Sequence, residues 1–216
     1  MLQTAALILA AGKGTRMHSD KPKVLQTVLG EPMLCYVLEA VRPVFDGRVL
    51  VVVGHQAGMV EAAFPEASFV HQEQQLGTGH ALMQAMPALE GQCERVLVVN
   101  GDTPLLSEDV VRHFVEASEG ADLAFATIEL DDPAAYGRVV RAADGSVRAI
   151  VEAKDYDPAL YGPEPHEVNA GMYCVRLDLA ARLLPRIGNA NKSGEYYITD
   201  LISLAVAEGC KVQGVQ

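Results

Sequence analysis

Three short apolar runs set the rhythm of this chain. Ala5-Ala6-Leu7-Ile8-Leu9-Ala10, residues 48–53 and residues 95–99 lack the alternation of a one-sided strand, and each leads into a glycine: Gly12, Gly54 and Gly101. A strand buried on both faces of a parallel sheet has that pattern. Between the runs, Met33, Leu34, Val37, Leu38 and Val41 recur at helical spacing and predict a helix over 32–41, with further helices over 59–64 and 80–86. Strand and helix in alternation predict an α/β fold with a Rossmann-like, doubly wound, mostly parallel sheet. Such a sheet binds ligands beyond the carboxyl ends of its strands.

Ser107 offers a cap for a helix reaching Glu116, with Asp109 in its first turn. After about residue 122 the rhythm changes. Residues 123–130 read as a strand, and 138–141 with 147–152 flank the turn Ala143-Asp144-Gly145 as a hairpin. Residues 156–165, with three prolines, read as a loop before a strand over 168–175. Helices over 177–187 and 200–208 close the fold. The expected organisation is one domain, 1–216, with a core part over 1–121 and a β-rich lobe plus closing helices over 122–216.

Composition narrows the class. Half of the 216 residues are hydrophobic and 21% are charged, which suits a folded globular domain and excludes a disordered chain. Lys plus Arg is 17 against 28 Asp plus Glu, a net charge of −11 that repels nucleic acid and anionic membranes, so neither is expected as a partner. Any phosphate ligand therefore needs a local basic pocket. Cys35, Cys93, Cys174 and Cys210 are scattered with no metal-ligand spacing and read as buried thiols in a reducing cytoplasm. No apolar run reaches the roughly 18 residues of a membrane span, and no basic region precedes the apolar stretch over 4–11, so a cytoplasmic location is expected.

The basic pocket has one candidate. Leu9-Ala10-Ala11-Gly12-Lys13-Gly14-Thr15-Arg16-Met17 leads into Lys21-Pro22-Lys23-Val24-Leu25, with Lys13, Arg16, Lys21 and Lys23 inside eleven residues. Met17 stands where a dinucleotide fingerprint needs its third glycine, and no Gly-Lys-Ser/Thr of a P-loop follows. Gly12 and Gly14 nonetheless let backbone N–H groups converge on an anion. Spacing alone leaves open an ordinary strand-to-loop turn with solvated lysines.

The stretch LAAGKGTRM followed by KPKVL resembles the signature of the sugar-1-phosphate nucleotidyltransferases. Further segments are similar to the uridylyltransferase domain of the bacterial bifunctional N-acetylglucosamine-1-phosphate uridylyltransferase/glucosamine-1-phosphate acetyltransferase family. They are residues 72–81, Gly101-Asp102-Thr103-Pro104-Leu105, Tyr136-Gly137-Arg138-Val139, Ile150-Val151-Glu152, Glu167-Val168-Asn169-Ala170-Gly171 and residues 194–200. The resemblance implies a nucleotide-diphospho-sugar transferase fold and transfer of UMP from UTP to N-acetylglucosamine 1-phosphate, giving UDP-N-acetylglucosamine and pyrophosphate. In-line attack on the α-phosphorus needs positioning and charge stabilisation rather than a protein nucleophile.

Residue by residue, the resemblance implies Arg16 and Lys23 as catalytic cations, the guanidinium on leaving-group charge and the ammonium near the α-phosphate. Leu9, Ala10, Ala11, Gly12 and Gly14 would hold the nucleotide, with Gln72, Gly77 and Thr78 reading uracil. Asn100, Gly101, Gly137, Glu152 and Asn169 form the implied sugar set. Asp102 would be the Mg²⁺ ligand at a strand tip, where an Asp-Thr-Pro turn is the plain alternative. Glu152 beside Lys154 also reads as a surface ion pair, and Tyr136 as a pocket wall. His80 reads as packing or capping rather than a base, and residues 194–200 as structural.

In that family a second magnesium ligand, an asparagine, and a left-handed β-helix that transfers acetyl groups and forms the trimer follow beyond the position of Gln216. The expectation is uridylyl transfer without acetyl transfer, and a trimer only in a longer chain. Two alternatives stay open: another nucleotidyltransferase using a different NTP or sugar phosphate, and a catalytically silent sugar-nucleotide-binding module.

Overall fold

The computed structural model describes residues 4–216 apart from Lys13, Thr15, Arg16 and His18. In chain order, β1 (Thr4–Leu9) leads through a glycine-rich loop and a 3₁₀ turn (Lys23–Leu25) to a small hairpin, β2 (Thr27–Val28) and β3 (Glu31–Pro32). Then come α1 (Met33–Phe45), β4 (Val49–Val53), α2 (Ala57–Ala63), β5 (Ser68–His71), α3 (Thr78–Leu89), β6 (Arg95–Asn100) and α4 (Glu108–Ala117). The second part holds β7 (Leu123–Glu129), β8 (Arg138–Arg141), β9 (Val147–Val151), α5 (Pro158–Tyr161) and β10 (Glu167–Arg176). It ends with α6 (Leu177–Leu183), a 3₁₀ turn, α7 (Asp200–Ala207) and β11 (Val212–Val215).

The main sheet runs β11-β7-β10-β6-β1-β4-β5, with β8 joined to β10 and β9 to β8. β1 lies parallel between β4 and β6, with Leu9 opposite Val52 on one side and Asn100 on the other. Its residues split by parity. Ala6 and Ile8 share a core with Leu34, Val37 and Val41 of α1 and Phe114 of α4. Ala5 and Leu7 share the other with Leu82, Ala85 and Leu89 of α3 and Ile202 of α7. An unbroken apolar run is the consequence of helices on both faces.

The expected mostly parallel, doubly wound sheet is observed, with two strands, β9 and β10, reversed. β10 pairs antiparallel with β6, β7 and β8, while β11 returns to parallel pairing with β7. The β-rich part is thereby an extension of the same sheet and not a separate one. The expected loop over 156–165 contains α5, started by Asp157, whose carboxylate accepts the Ala159 N–H at 2.9 Å, and by Pro158 in its first turn. The helix expected over 177–187 ends at Leu183 and continues as a 3₁₀ turn over Leu184–Arg186. α1 and α3 run past their expected ends, through Pro43 and Pro87. Ser107 caps α4 as expected, accepting the Val110 N–H. Of the four cysteines only Cys174 is fully buried; Cys35, Cys93 and Cys210 are half-buried thiols.

Candidate active site

The carboxyl ends of β1 and β6 open into a cleft of about 510 Å³. Leu9 lines it from the end of β1, Ala10, Ala11, Gly12 and Gly14 from the first loop, Lys23 from the 3₁₀ turn, Gln72, Gly77 and Thr78 from the segment entering α3, Asn100 and Asp102 from the end of β6 and the turn after it, and Glu195 from the segment before α7. Gly101 supports its floor: its N–H donates to the Leu9 carbonyl at 2.9 Å, and a Cβ there would lie 3.1 Å from that oxygen. Arg16 and Lys13 lie outside the described residues, and Lys21 is exposed and does not line the cleft.

Gly14 has φ +58°, and a Cβ on it would fall 2.8 Å from the Lys23 Cβ. The loop therefore closes directly on the turn that carries Lys23. Burial of Val24 and Leu25 anchors that turn. Lys23 Nζ ion-pairs with Asp102 Oδ2, bringing together residues 79 apart in sequence. The Asp-Thr-Pro turn is also present, with the Thr103 hydroxyl donating to the Asn100 carbonyl at 2.8 Å. The turn and the cleft-facing carboxylate coexist.

Gln72 is buried; its Nε2 donates to the Gly77 carbonyl at 3.0 Å and lies 3.0 Å from His80 Nδ1. Its Oε1 has no hydrogen-bond partner among the described residues. His80 thus holds Gln72 in place, in keeping with a packing role. Gly77, at φ +109°, has no room for a side chain, since a Cβ would meet the Tyr196 carbonyl at 2.6 Å. Residues 194–200 run against this turn, with Tyr196 N–H donating to the Leu76 carbonyl and Gly79 N–H to the Tyr196 carbonyl, both at 2.8 Å. The Thr78 hydroxyl accepts the Ile198 N–H at 3.0 Å.

Gly137, Glu152 and Asn169 meet in the lobe beside the cleft. The Asn169 N–H donates to the Gly137 carbonyl at 2.8 Å, and a Cβ on Gly137 would stand 3.5 Å from Glu152 Oε1. β10 is irregular between Asn169 and Tyr173, where Gly171 (φ +78°) gives its N–H to Asn169 Oδ1 at 3.0 Å. Asn169 Nδ2 donates to the Tyr173 hydroxyl at 2.6 Å. A Cβ on Gly171 would lie 2.7 Å from Asn100 Nδ2, so this irregularity is where lobe and cleft touch.

Lys154 makes no ion pair with Glu152; its Nζ lies 3.5 Å from Ser193 Oγ instead. Burial pushes the Glu152 carboxyl up, with Asp155 and Glu195 adding like charge, while a hydrogen bond from Thr199 holds it down. Burial and the Glu152 and Asp155 charges push Asp200 up to about 6. Tyr173 is raised as well, mainly by burial. Tyr136 is exposed and does not line the cleft; it stands on a loop whose carbonyls at 134 and 136 accept from the buried Arg138 guanidinium. Arg138, Tyr173, Thr199 and the cleft-lining Gln75 are not among the site residues the resemblance implies, although Arg138, Thr199 and Gln75 stand inside its motif segments.

A larger groove of about 1060 Å³ lies at the opposite end of the sheet, lined by Met83, Met86, Leu184 and their neighbours. It holds none of the motif residues. Among the described residues no helix is long and apolar enough to cross a membrane, and no group of three or more His, Cys, Asp or Glu could by itself hold a metal.

The chain is 64% identical over 216 residues to the Bifunctional protein GlmU of Nitratidesulfovibrio vulgaris Hildenborough, covering 99% of this chain and 47% of that protein. It is 46% identical over 215 residues to the Bifunctional protein GlmU of Lawsonia intracellularis, at 98% and 47% coverage. The chain thus spans about half the length of these curated relatives. The resemblance to the bifunctional enzymes is borne out at high identity. Among solved structures, HddC from Yersinia pseudotuberculosis superposes with TM-score 0.70 at 21% identity, covering 100% of this chain and 90% of that one. A Bacillus anthracis protein described as a glucose-1-phosphate thymidylyltransferase, in complex with a sucrose, gives TM-score 0.74 at 18% identity, covering 98% and 86%. Both likenesses concern the fold alone. Residues 6–161 match the model of the MobA-like NTP transferase domain, and the chain belongs to that family.

Proposed function

We propose that this chain transfers UMP from UTP to N-acetylglucosamine 1-phosphate, yielding UDP-N-acetylglucosamine and pyrophosphate. The observation that supports the reading is that two unlike groups of residues adjoin each other where Gly171 approaches Asn100. A cation and strand-tip carboxylate, Lys23 and Asp102, adjoin the glycine loop at one end, and the Gly137, Glu152 and Asn169 set lies at the other. The high identity to the bifunctional relatives supports the same substrates.

In the proposed reaction an oxygen of the sugar phosphate attacks the α-phosphorus of UTP in line, and the bond to the β-phosphate oxygen breaks as pyrophosphate leaves. Backbone N–H groups of residues 12–14 hold phosphate oxygens. Lys23 offsets charge growing at the α-phosphoryl group, and Arg16 takes the leaving pyrophosphate. The free Gln72 Oε1 is an acceptor suited to the imide N–H of uracil. Glu152 accepts sugar hydroxyls, and Asn169 and the Gly137 backbone orient the sugar. Residues 1–121 would serve the nucleotide and 122–216 the sugar.

Asp102 is suited to Mg²⁺, which takes one or two carboxylates plus waters and substrate phosphates. Its carboxylate lines the cleft and already accepts the Lys23 ammonium, so a metal there would share it with Lys23. When bound, the metal would supply neutralisation of phosphate oxygens. The setting proposed is the cytoplasm.

The test is pyrophosphate release from UTP plus N-acetylglucosamine 1-phosphate, with and without Mg²⁺, against CTP, GTP and dTTP and against glucose 1-phosphate. Magnesium-dependent release that prefers UTP and the acetylated sugar is expected. A preference for another pair, or binding of UDP-N-acetylglucosamine without turnover, would overturn it.

A further inference from the structure

Residues 196–198 are fastened to the turn that enters α3 by three hydrogen bonds, two to the backbone at 76 and 79 and one to the Thr78 hydroxyl. The next residue, Thr199, is 2% exposed and stands at the N-cap of α7. A threonine there ordinarily turns its hydroxyl onto the helix's own free N–H groups. Thr199 makes no such bond. Its hydroxyl donates to Glu152 Oε1 at 3.1 Å, across 47 residues of sequence, while Glu152 Oε2 has no partner among the described residues.

We infer that Thr199 is a positioning residue for the sugar carboxylate. Its hydroxyl holds one oxygen of Glu152 so that the other meets the sugar, and its backbone ties that carboxylate to the nucleotide turn. The inference rests on the proposed role of Glu152. A buried carboxylate without a donor turns or takes up a proton. The surroundings of Glu152 favour both outcomes: Asp155 in the following loop, Glu195 and the Tyr197 hydroxyl ahead of α7, Asp200 on α7 and the Tyr173 hydroxyl on β10 face it, with Arg138 on β8 as the opposing cation. Thr199 is the hydroxyl donor at the carboxylate itself.

The experiment compares the parent chain with Thr199→Val, Thr199→Ser and Glu152→Gln. Loss of a hydrogen bond to a charged group corresponds to a rise of about 10-fold or more in the Michaelis constant for the sugar phosphate, read in Thr199→Val. That for UTP should stay within about 2-fold. The acid limb of activity against the sugar phosphate should move to higher pH, and Thr199→Ser should restore the parent behaviour. Equal rises for both substrates, or no rescue by serine, would overturn the inference. If Thr199→Val does not fold, Thr199→Ala carries the same comparison.

A second readout needs no turnover. The side-chain carboxyl ¹³C resonance of Glu152, assigned by its loss in Glu152→Gln, is titrated in the substrate-free chain. Its midpoint should rise in Thr199→Val and return in Thr199→Ser; an unchanged midpoint would sink the inference even if the parent is active. A parent chain that releases no pyrophosphate while the midpoint moves would instead refute the proposed reaction and leave the Thr199–Glu152 link standing.

Discussion

Asp200→Asn should make the protein more stable at neutral and alkaline pH. Asp200 begins α7, where the helix N-terminus favours a negative charge, yet its carboxyl is raised from an ordinary 3.8 to about 6 by burial and by the Glu152 and Asp155 carboxylates. For a fully buried group that difference corresponds to about 3 kcal/mol against the ionised folded state. Asp200 retains contact with solvent, and screening reduces the expected cost to about 1–2 kcal/mol. The sign follows from the raised value. The folded state holds the proton more tightly than the unfolded one, so the associated stability is complete below pH 3.8 and is lost as pH rises through about 6. Asparagine keeps the shape and removes the charge, so the variant should gain about 1–2 kcal/mol at pH 8, or roughly 2–8 °C in Tm for a chain of this size. The advantage should shrink steadily toward pH 5.5. Urea unfolding followed by far-UV circular dichroism suits a chain with no tryptophan. Equal stability at pH 8, or a gain that does not shrink on acidification, would refute the electrostatic argument.

Lys23→Ala should lower kcat/KM for pyrophosphate release by about 10²–10³-fold, the usual loss when one preorganised charge is removed from a phosphoryl-transfer site. Its melting temperature should barely move, because the half-exposed pair with Asp102 contributes about 1 kcal/mol at most; a loss under 10-fold would remove Lys23 from the chemistry. Gly77→Ala places a Cβ 2.6 Å from the Tyr196 carbonyl at φ +109°, so urea unfolding should reveal a loss of about 1–3 kcal/mol, and the Michaelis constant for UTP should rise. Wild-type stability in that variant would mean the turn and residues 194–200 part easily.

The elements legible in the sequence are those whose surroundings impose a pattern on them. β1, β4 and β6 are covered on both faces and could be read from apolar runs alone. β5 is a four-residue edge strand with one neighbour and no fully buried residue, so nothing in Ser68–His71 demanded a sheet. β11 is held by pairing with β7, a strand some 90 positions earlier, and carries Gly214 in its middle. The reversed direction of β10 left no trace, because periodicity records which faces are buried and not which way a strand runs. α5 announced itself through Asp157-Pro158, a cap followed by proline in the first turn, but three prolines in ten residues read as loop. In the site, the cations near Gly12 could be read locally. The pairs that assemble it, Lys23 with Asp102 and Glu152 with Thr199, join residues 79 and 47 apart, a distance no local pattern spans.

On the proposed function, the charge layout of the site constrains how a sugar phosphate would enter a chain of net charge −11. Lys23 stands at the glycine-loop end beside Asp102, with Glu195 also lining that cleft, whereas Glu152, Asp155 and Asp200 gather at the lobe. A phosphate about 5 Å from one carboxylate costs about 1–3 kcal/mol per charge pair at effective dielectric constants between those of water and a protein surface. A sugar phosphate entering backwards would meet Glu152, Asp155 and Asp200, while one entering with its phosphate toward Lys23 would meet an ammonium that offsets Asp102 and would offer its hydroxyls to carboxylate acceptors. The raised proton affinities of Glu152 and Asp200 are then the stability given up for that polarity. Asp200→Asn should recover part of this stability, and Thr199→Val should expose what happens when the carboxylate proposed to meet the sugar loses its donor.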